Sequence, residues 1–195
     1  MPSRFRSWPC PRLDILSTLC RLHSEGLAAR TLTGTVPTEH EIRELLRFEQ
    51  RSARELQQVF AAHGWPGLRL VGEVGTEAAW WIVMMCDRHI VLQRDAQALL
   101  TDAVQAGDAP ARHTAYLRDR LLMHEGREPQ IYGTQWVLHD DGQVSLYPVT
   151  DPSGLSERRR AVGLPGPGAE SDIRLLSFTR RPRPGAQPWP SVPRP

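Results

Sequence analysis

The sequence predicts a mainly α-helical protein, a compact single domain of about four to five helices around one buried helix. Residues 78–86 (AAWWIVMMC) are apolar on every side, which is typical of a helix that is buried all round. Apolar residues also recur at helical spacing from Ile42 to Phe60, as on the inner face of an amphipathic helix. Two short runs of strand-forming residues flank Asp-Asp-Gly, which predicts a small β-hairpin near 136–147.

Local signals place the first two helices. Leucines at three-residue spacing predict an N-terminal helix that ends near Gly26; they are Leu13, Leu16, Leu19 and Leu22. The second helix begins at a capping box, in which Thr38 is followed three residues later by Glu41. It should stop at Gly64, because glycine readily adopts the backbone conformation that ends a helix.

The rest of the chain alternates short connections with further helices. We expect residues 68–71 to be extended and Thr76 to cap the buried helix. A third helix should end at Gly107, and a fourth should carry Pro110 in its first turn and end at Gly126. A short charged helix is predicted within residues 153–163.

Composition divides the chain into three parts. Residues 1–37 form an N-terminal arm with a short helix, 38–164 the helical domain, and 165–195 a tail rich in proline and arginine. We expect the tail to be disordered and dispensable for folding, because it has few apolar residues to bury. The net charge of +2 is too small to indicate nucleic-acid binding.

The residue types that are missing exclude several chemistries. All 24 basic residues are arginine, and the chain has neither lysine nor asparagine. Schiff-base enzymes, pyridoxal phosphate enzymes and phosphate-loop proteins need a lysine, and a Cys-His-Asn triad needs an asparagine. Three distant cysteines and no apolar run of ~18 residues predict a cytoplasmic protein without disulfides, a metal site or a membrane span. We expect no organic cofactor either.

One group of polar residues on the fourth helix is a candidate site. Tyr116 lies three residues before Asp119 and four before Arg120, so its side chain can touch both. Arg120 would bind an anionic substrate, and Asp119 would orient it or act as a catalytic base. The alternative is a structural pair that ties the helix to the polar run after it.

That polar run, residues 130–135, is the second group. Gln130, Tyr132, Thr134 and Gln135 can donate and accept hydrogen bonds, and Gly133 permits a tight turn. They would either bind a polar small molecule or satisfy the backbone of a buried loop. The short reversal before Gln130 should bring this run against Asp119 and Arg120 to form one polar pocket.

The two ends of the buried helix supply the remaining candidates. Asp87 and His89 follow the helix, and a carboxylate near an imidazole is the minimum for catalytic proton transfer. The alternative interpretation is a helix cap and a surface histidine. Glu77 at the other end, with Trp81, completes the predicted substrate-binding set.

Several motifs together resemble a bacterial family of unknown function, DUF6624, over about residues 41–164. They include HGWPG at 63–67, Tyr116-Leu117 with Asp119-Arg120, Gln130 with the YGTQ of 132–135, and AVGL at 161–164. The resemblance implies a compact, mainly helical domain. At two positions of the buried helix, this chain has Met84-Met85, whereas the family that it resembles has a Gln-His pair. A polar pair would therefore be missing from the buried helix.

Two functional hypotheses follow. The first is a small-molecule tailoring protein of bacterial specialised metabolism, a lyase or cyclase without cofactor that catalyses elimination or intramolecular cyclisation of a polar, anionic intermediate. The second is a non-catalytic binding or partner subunit that works in a heteromeric complex with a related protein, as the Met84-Met85 pair would favour. Under both hypotheses, we expect the protein to bind neither a membrane nor nucleic acid.

Overall fold

Six α-helices and one two-stranded antiparallel sheet make up the described part of the chain. The computed structural model describes residues 11–30, 38–126, 128–138 and 144–167. The helices are α1 (Leu13–Ala29), α2 (Glu39–His63), α3 (Leu68–Met85), α4 (Ile90–Gln105), α5 (Ala111–Glu125) and α6 (Leu155–Ala161). The strands are β1 (Trp136–Leu138) and β2 (Val144–Leu146). The predicted fold class, mainly helical with a small hairpin, is confirmed.

Helix α3 lies at the centre, as predicted from its apolar sequence. It contacts α1, α2, α4 and α5, and every side chain from Ile82 to Cys86 is fully buried. A helix with neighbours on all sides has no face for polar residues, which explains why the run has no polar stripe.

The start of α3 differs from the prediction. Residues 68–71 form a helical turn rather than an extended segment, because Asp108 caps this turn with its main-chain oxygen and its carboxylate. The helix is interrupted at Gly72, whose φ of 70° is accessible mainly to glycine. Thr76 does not cap a helix: it lies inside α3, and its hydroxyl donates to the Pro66 carbonyl at 3.1 Å.

Gly26 does not end α1, which continues to Ala29. A Cβ atom at Gly26 would lie 2.5 Å from Phe48 Cζ and 2.6 Å from Trp81 Cζ3. Glycine is therefore needed at this position because α1, α2 and α3 pack closely there. It is not needed to end the helix.

The predicted helix ends are otherwise close to the observed ones. The Thr38 hydroxyl accepts from the Glu41 N–H at 3.2 Å, and the Glu41 carboxylate accepts from the Thr38 N–H at 2.7 Å, so the capping box is confirmed. Helix α5 ends at Gly126, also as predicted. Pro110 precedes α5 as its cap and does not lie in its first turn.

The hairpin pairs Trp136 with Leu146 and Leu138 with Val144. Its predicted turn, the arm at 1–10, the linker at 31–37 and the tail from 168 onward lie outside the described residues. The division of the chain into arm, domain and tail stays a prediction. Within the described residues, α1 packs along α3.

Candidate functional site

Helices α3 and α5 run side by side in the same direction, and we call their line of contact the α3–α5 seam. Three contacts follow one another along it: Glu77 with His113, Trp80 with Tyr116, and Asp87 with Arg120. The seam therefore brings together residues from both ends of the buried helix and from the fourth predicted helix.

Arg120 and Asp87 form the seam's carboxyl-terminal contact. The Arg120 side chain is 1% exposed, and its Nη1 donates to Asp87 Oδ1 at 2.6 Å. Its Nε donates to Gln135 Oε1, also at 2.6 Å. A buried guanidinium needs such partners because an unpaired buried charge is costly. The Asp87 side chain is 22% exposed, so Asp87 is the solvent-facing end of an otherwise buried network.

Glu49 of α2 is the second carboxyl group at this place. It is 4% exposed, and its Oε2 accepts from the Arg88 N–H at 3.3 Å. Burial, reinforced by the nearby Asp87 charge, raises the pKa of Glu49 to about 7. A carboxyl group with that pKa is poised to give or take a proton near neutral pH.

Glu49 was not among the predicted site residues, although its sequence position carries a signal. It lies four residues before Ala53 and seven before Leu56, both of which are buried. A carboxylate on the inner stripe of an amphipathic helix is unusual, because burying a charge is unfavourable.

We call Glu49, Asp87, Arg120 and His124 the Asp87 centre. His124 Nε2 lies 3.9 Å from Asp87 Oδ1, and its side chain is 22% exposed. His89 precedes α4, is partly buried, and makes no hydrogen bond to Asp87 within the described residues; burial lowers its pKa. A histidine from α5 therefore lies near Asp87, which no sequence spacing could indicate, and the role expected of His89 stays a prediction.

Asp119 meets residues 130–135, which we call the 130–135 loop, so the predicted proximity is confirmed. The Asp119 carboxylate accepts from the Ile131 N–H at 2.8 Å and from the Thr134 N–H and hydroxyl at 3.1 and 2.9 Å. The Tyr132 N–H lies 3.1 Å from both of its oxygens. Asp119 is 0% exposed; burial raises its pKa, while these hydrogen bonds act in the opposite direction. The geometry favours the structural interpretation of Asp119, and its catalytic role stays a prediction.

The polar side chains of the loop also bond within the protein. Gln130 accepts from the Gln135 N–H at 2.8 Å and donates to the Gln135 carbonyl at 2.9 Å. Exposure is at most 2% for Gln130, Thr134 and Gln135 and 4% for Tyr116, whereas Tyr132 is partly buried. These contacts match the alternative in which the residues satisfy a buried loop. Substrate binding by them stays a prediction.

Helix α6 holds the same loop from its other side. Arg159 is 0% exposed, and its Nη1 donates to the carbonyls of Tyr132 and Gly133 at 2.9 and 3.2 Å. Arg158 Nε donates to the Ile131 carbonyl at 3.0 Å. The N–H groups of Ile131, Tyr132 and Thr134 therefore bond to Asp119, while the carbonyls of residues 131–133 bond to α6, and these bonds fix the middle of the loop from both sides.

Glu77 lies at the other end of the seam, with a side chain that is 43% exposed. It accepts from Arg112 and contacts His113 Nε2 at 3.1 Å. Burial acts to raise the pKa of Glu77, but the hydrogen bonds and charges of these two partners lower it overall. His113 is fully buried and stacks on Trp80 with ring centroids 4.7 Å apart; burial lowers its pKa, partly offset by Glu77.

The predicted substrate-binding residues do not converge on one place. Trp81 packs against His23 of α1, with ring centroids 4.6 Å apart, on a different side of α3 from the seam. Glu77 and Asp87 lie at opposite ends of the seam. Of the predicted substrate-binding residues, Arg120 is part of the Asp87 centre, and Gln135 bonds directly to it.

Metal-binding clusters and membrane spans are not found in the described ranges. No group of three or more histidine, cysteine, aspartate or glutamate side chains there is placed to hold a metal ion. No helix in the same part of the chain is long and apolar enough to cross a membrane.

Fold and site together define a small helical domain built around a buried polar network. The chain matches the model of a family of unknown function, DUF6624, over residues 34–180, which is more than half of its length. It belongs to that family, as its motifs indicated. No curated protein and no solved structure matches it.

Proposed function

We propose that this protein acts on a polar small molecule by acid–base chemistry at the Asp87 centre, without a cofactor. The observation that carries the proposal is the buried carboxyl group of Glu49, whose pKa is about 7, next to Asp87, which is ion-paired with Arg120. Two carboxyl groups in such different environments are suited to opposite roles, one as an acid and the other as a base.

Elimination would use the pair as follows. Asp87 takes a proton from a carbon atom next to a carbonyl or carboxylate group of the substrate. Glu49 gives its proton to the leaving hydroxyl group, the carbon–oxygen bond breaks, a carbon–carbon double bond forms, and water departs. Solvent then returns a proton to Glu49 and removes one from Asp87. An intramolecular cyclisation would use the same two groups, with Asp87 activating the nucleophile.

The substrate would be polar and anionic. Arg88 follows Asp87, its N–H donates to Glu49, and its side chain is exposed, so it supplies a surface cation next to the centre. Arg120 is buried and already paired with Asp87, so its role is to hold Asp87 rather than to meet the substrate. Specialised metabolism remains the proposed context.

The proposal can be tested by incubating the protein with a mixture of metabolites. Such an assay does not require a substrate to be chosen in advance. Wild type, Glu49→Gln, Asp87→Asn and the surface control Glu44→Gln would each be incubated with a polar bacterial metabolite extract, followed by mass spectrometry. We expect wild type and Glu44→Gln to convert one metabolite with loss of water or of another leaving group. Glu49→Gln and Asp87→Asn should each be at least ~100-fold slower, the scale of general acid–base catalysis. Equal turnover by Glu49→Gln would contradict the assignment.

The second proposal is a partner subunit, and exposed apolar side chains favour it. Leu13 in the first turn of α1 is 67% exposed, and Val74 of α3 is 68% exposed. Both lie where the start of α1 packs on α3, since Gly75 next to Val74 approaches Leu16. Size-exclusion chromatography after co-expression with neighbouring gene products tests this. A complex that Val74→Glu dissociates, with activity only in the mixture, would support it; full turnover by the isolated chain would contradict it.

A further inference from the structure

The Asp87 centre depends on the orientation of one guanidinium group. Arg120 reaches Asp87 through Nη1 at 2.6 Å, and the same group donates from Nε to Gln135 Oε1 at 2.6 Å. Because the guanidinium is planar and rigid, a bond at Nε restricts the direction in which Nη1 points. Arg120 also donates weakly to the Met84 carbonyl at 3.5 Å. This long bond by itself would not fix the plane of the guanidinium group.

Gln135 is itself held on every side. Its N–H and carbonyl both bond to the Gln130 side chain, at 2.8 and 2.9 Å. Its Nε2 donates to the Thr134 hydroxyl at 2.9 Å and lies 3.4 Å from the Tyr116 carbonyl. The amide group therefore has its oxygen, not its nitrogen, towards Arg120, and a cation needs that oxygen.

We propose that Gln135 is the positioning residue of the Asp87 centre, acting through Arg120. This inference rests on the proposed function and extends it: the 130–135 loop, which Asp119 and α6 fix, serves to present one amide oxygen to Arg120. Arg120 then keeps Asp87 beside Glu49, and the charge of Asp87 acts on Glu49. Gln135 is 2% exposed and would not touch the substrate.

The effect of removing Gln135 has a definite direction. Gln135→Met keeps the size and flexibility of the side chain but offers Arg120 no amide oxygen. Arg120 then loses the bond that orients it, and Asp87, which is partly exposed, is free to turn towards solvent. The Asp87 charge recedes from Glu49, while Arg30 and Arg88, which both lower the pKa of Glu49, keep their charges. That pKa should therefore fall towards its ordinary value, with burial retaining part of the rise.

Nuclear magnetic resonance tests this on the full chain without any substrate. The readouts are the hydrogen exchange of the Arg120 Nε–H and the titration of the Glu49 carboxyl carbon. In Gln135→Met we expect Arg120 Nε–H exchange to accelerate at least tenfold and the Glu49 pKa to fall. Gln135→Glu retains an acceptor oxygen and should preserve slow exchange.

Gln93→Met is the matched control, because Gln93 is also fully buried but donates to the Val83 carbonyl instead. It should change neither readout. Unchanged exchange and titration in Gln135→Met, or an equal change of the Glu49 pKa in Gln93→Met, would overturn the proposal.

A wild-type measurement covers the case in which Gln135→Met does not fold. The Arg120 Nε–H should exchange far more slowly than that of Arg94, whose Nε bonds to Glu125 on the surface. Equal exchange rates would overturn the positioning role. Since no turnover is measured, failure here would leave the acid–base proposal standing, and failure of that proposal would leave this result intact.

Discussion

Arg120 donates to Asp87 across the α3–α5 seam at 2.6 Å, although the two residues are 33 positions apart in the chain. Arg120 is buried and Asp87 is partly exposed, so the pair connects the interior of the domain to its surface. Glu49 approaches the same place from α2. The Asp87 centre thus draws Glu49 from α2, Asp87 from the turn after α3, and both Arg120 and His124 from α5, and its properties are open to direct measurement.

The first prediction concerns Glu49 and pH. Its folded-state pKa of about 7 lies above the ordinary value of 4.5. A carboxyl group whose pKa is raised by folding does not lower the free energy of unfolding at a pH below its unfolded-state pKa. The free energy of unfolding then falls as the pH rises from that value through the folded-state pKa. Glu49→Gln cannot ionise, so relative to wild type it should gain about 3 kcal/mol in the free energy of unfolding between pH 4 and pH 9. Chemical denaturation at several pH values measures this gain.

The surface substitution Glu44→Gln is the control for that measurement. Glu44 pairs with Arg47 on the surface, so its substitution should show no comparable dependence on pH. Parallel stability curves of wild type and Glu49→Gln would show that folding does not raise the pKa of Glu49.

The second prediction separates structure from catalysis at Asp119. Asp119→Asn replaces one acceptor oxygen with an N–H₂ group that faces the donors of the 130–135 loop. Leaving buried donors unpaired should destabilise the protein by about 3 kcal/mol. The exposed Asp95→Asn in α4 should change stability by less than about 0.5 kcal/mol. A stable Asp119→Asn that loses all turnover would instead restore Asp119 as a catalytic group.

The third prediction concerns Gly26. Alanine inside a helix is normally favoured over glycine by about 1 kcal/mol. Here the added methyl group would approach Phe48 and Trp81 to about 2.5 Å, so overpacking should dominate and destabilise Gly26→Ala by about 1–3 kcal/mol. Thermal and urea unfolding measure the change. Ser24→Ala, on the exposed side of the same helix, should be neutral or slightly stabilising; a stabilised Gly26→Ala would show that the helices separate easily.

The fourth prediction concerns His113, whose burial lowers its pKa below 6.5. The unfolded chain therefore binds a proton at higher pH than the folded protein does. The contribution of His113 to stability is present above pH ~6.5 and is lost as the pH falls from there through the folded pKa. Chemical denaturation of both proteins measures this contribution as the free energy of unfolding of wild type minus that of His113→Phe, and this difference should fall as the pH is lowered from 7.5 to 5. Glu49, which acts in the opposite direction over this range, is present in both proteins and cancels. The exposed His63→Gln should behave as wild type does.

Helix positions were largely predictable because their signals are local. The capping box at Thr38 and Glu41 needs only four consecutive residues, and it is present as predicted. The apolar run at 78–86 likewise predicts burial whatever its neighbours are. Residues 68–71 were not predictable, because the cap that makes them helical comes from Asp108, far along the chain.

The sequence by itself determined the helical class, the buried central helix, the family, and the approach of Asp119 and Arg120 to the 130–135 loop. That approach follows from the short reversal after α5, which leaves the two segments no room to separate. Only the tertiary structure decided that Arg120 reaches Asp87, that His124 lies near Asp87, and that Glu49 is the buried acid. The register of α3 along α5 and the packing of α2 set these contacts. Such long-range packing depends on the shapes of many side chains together, and no single stretch of sequence records it.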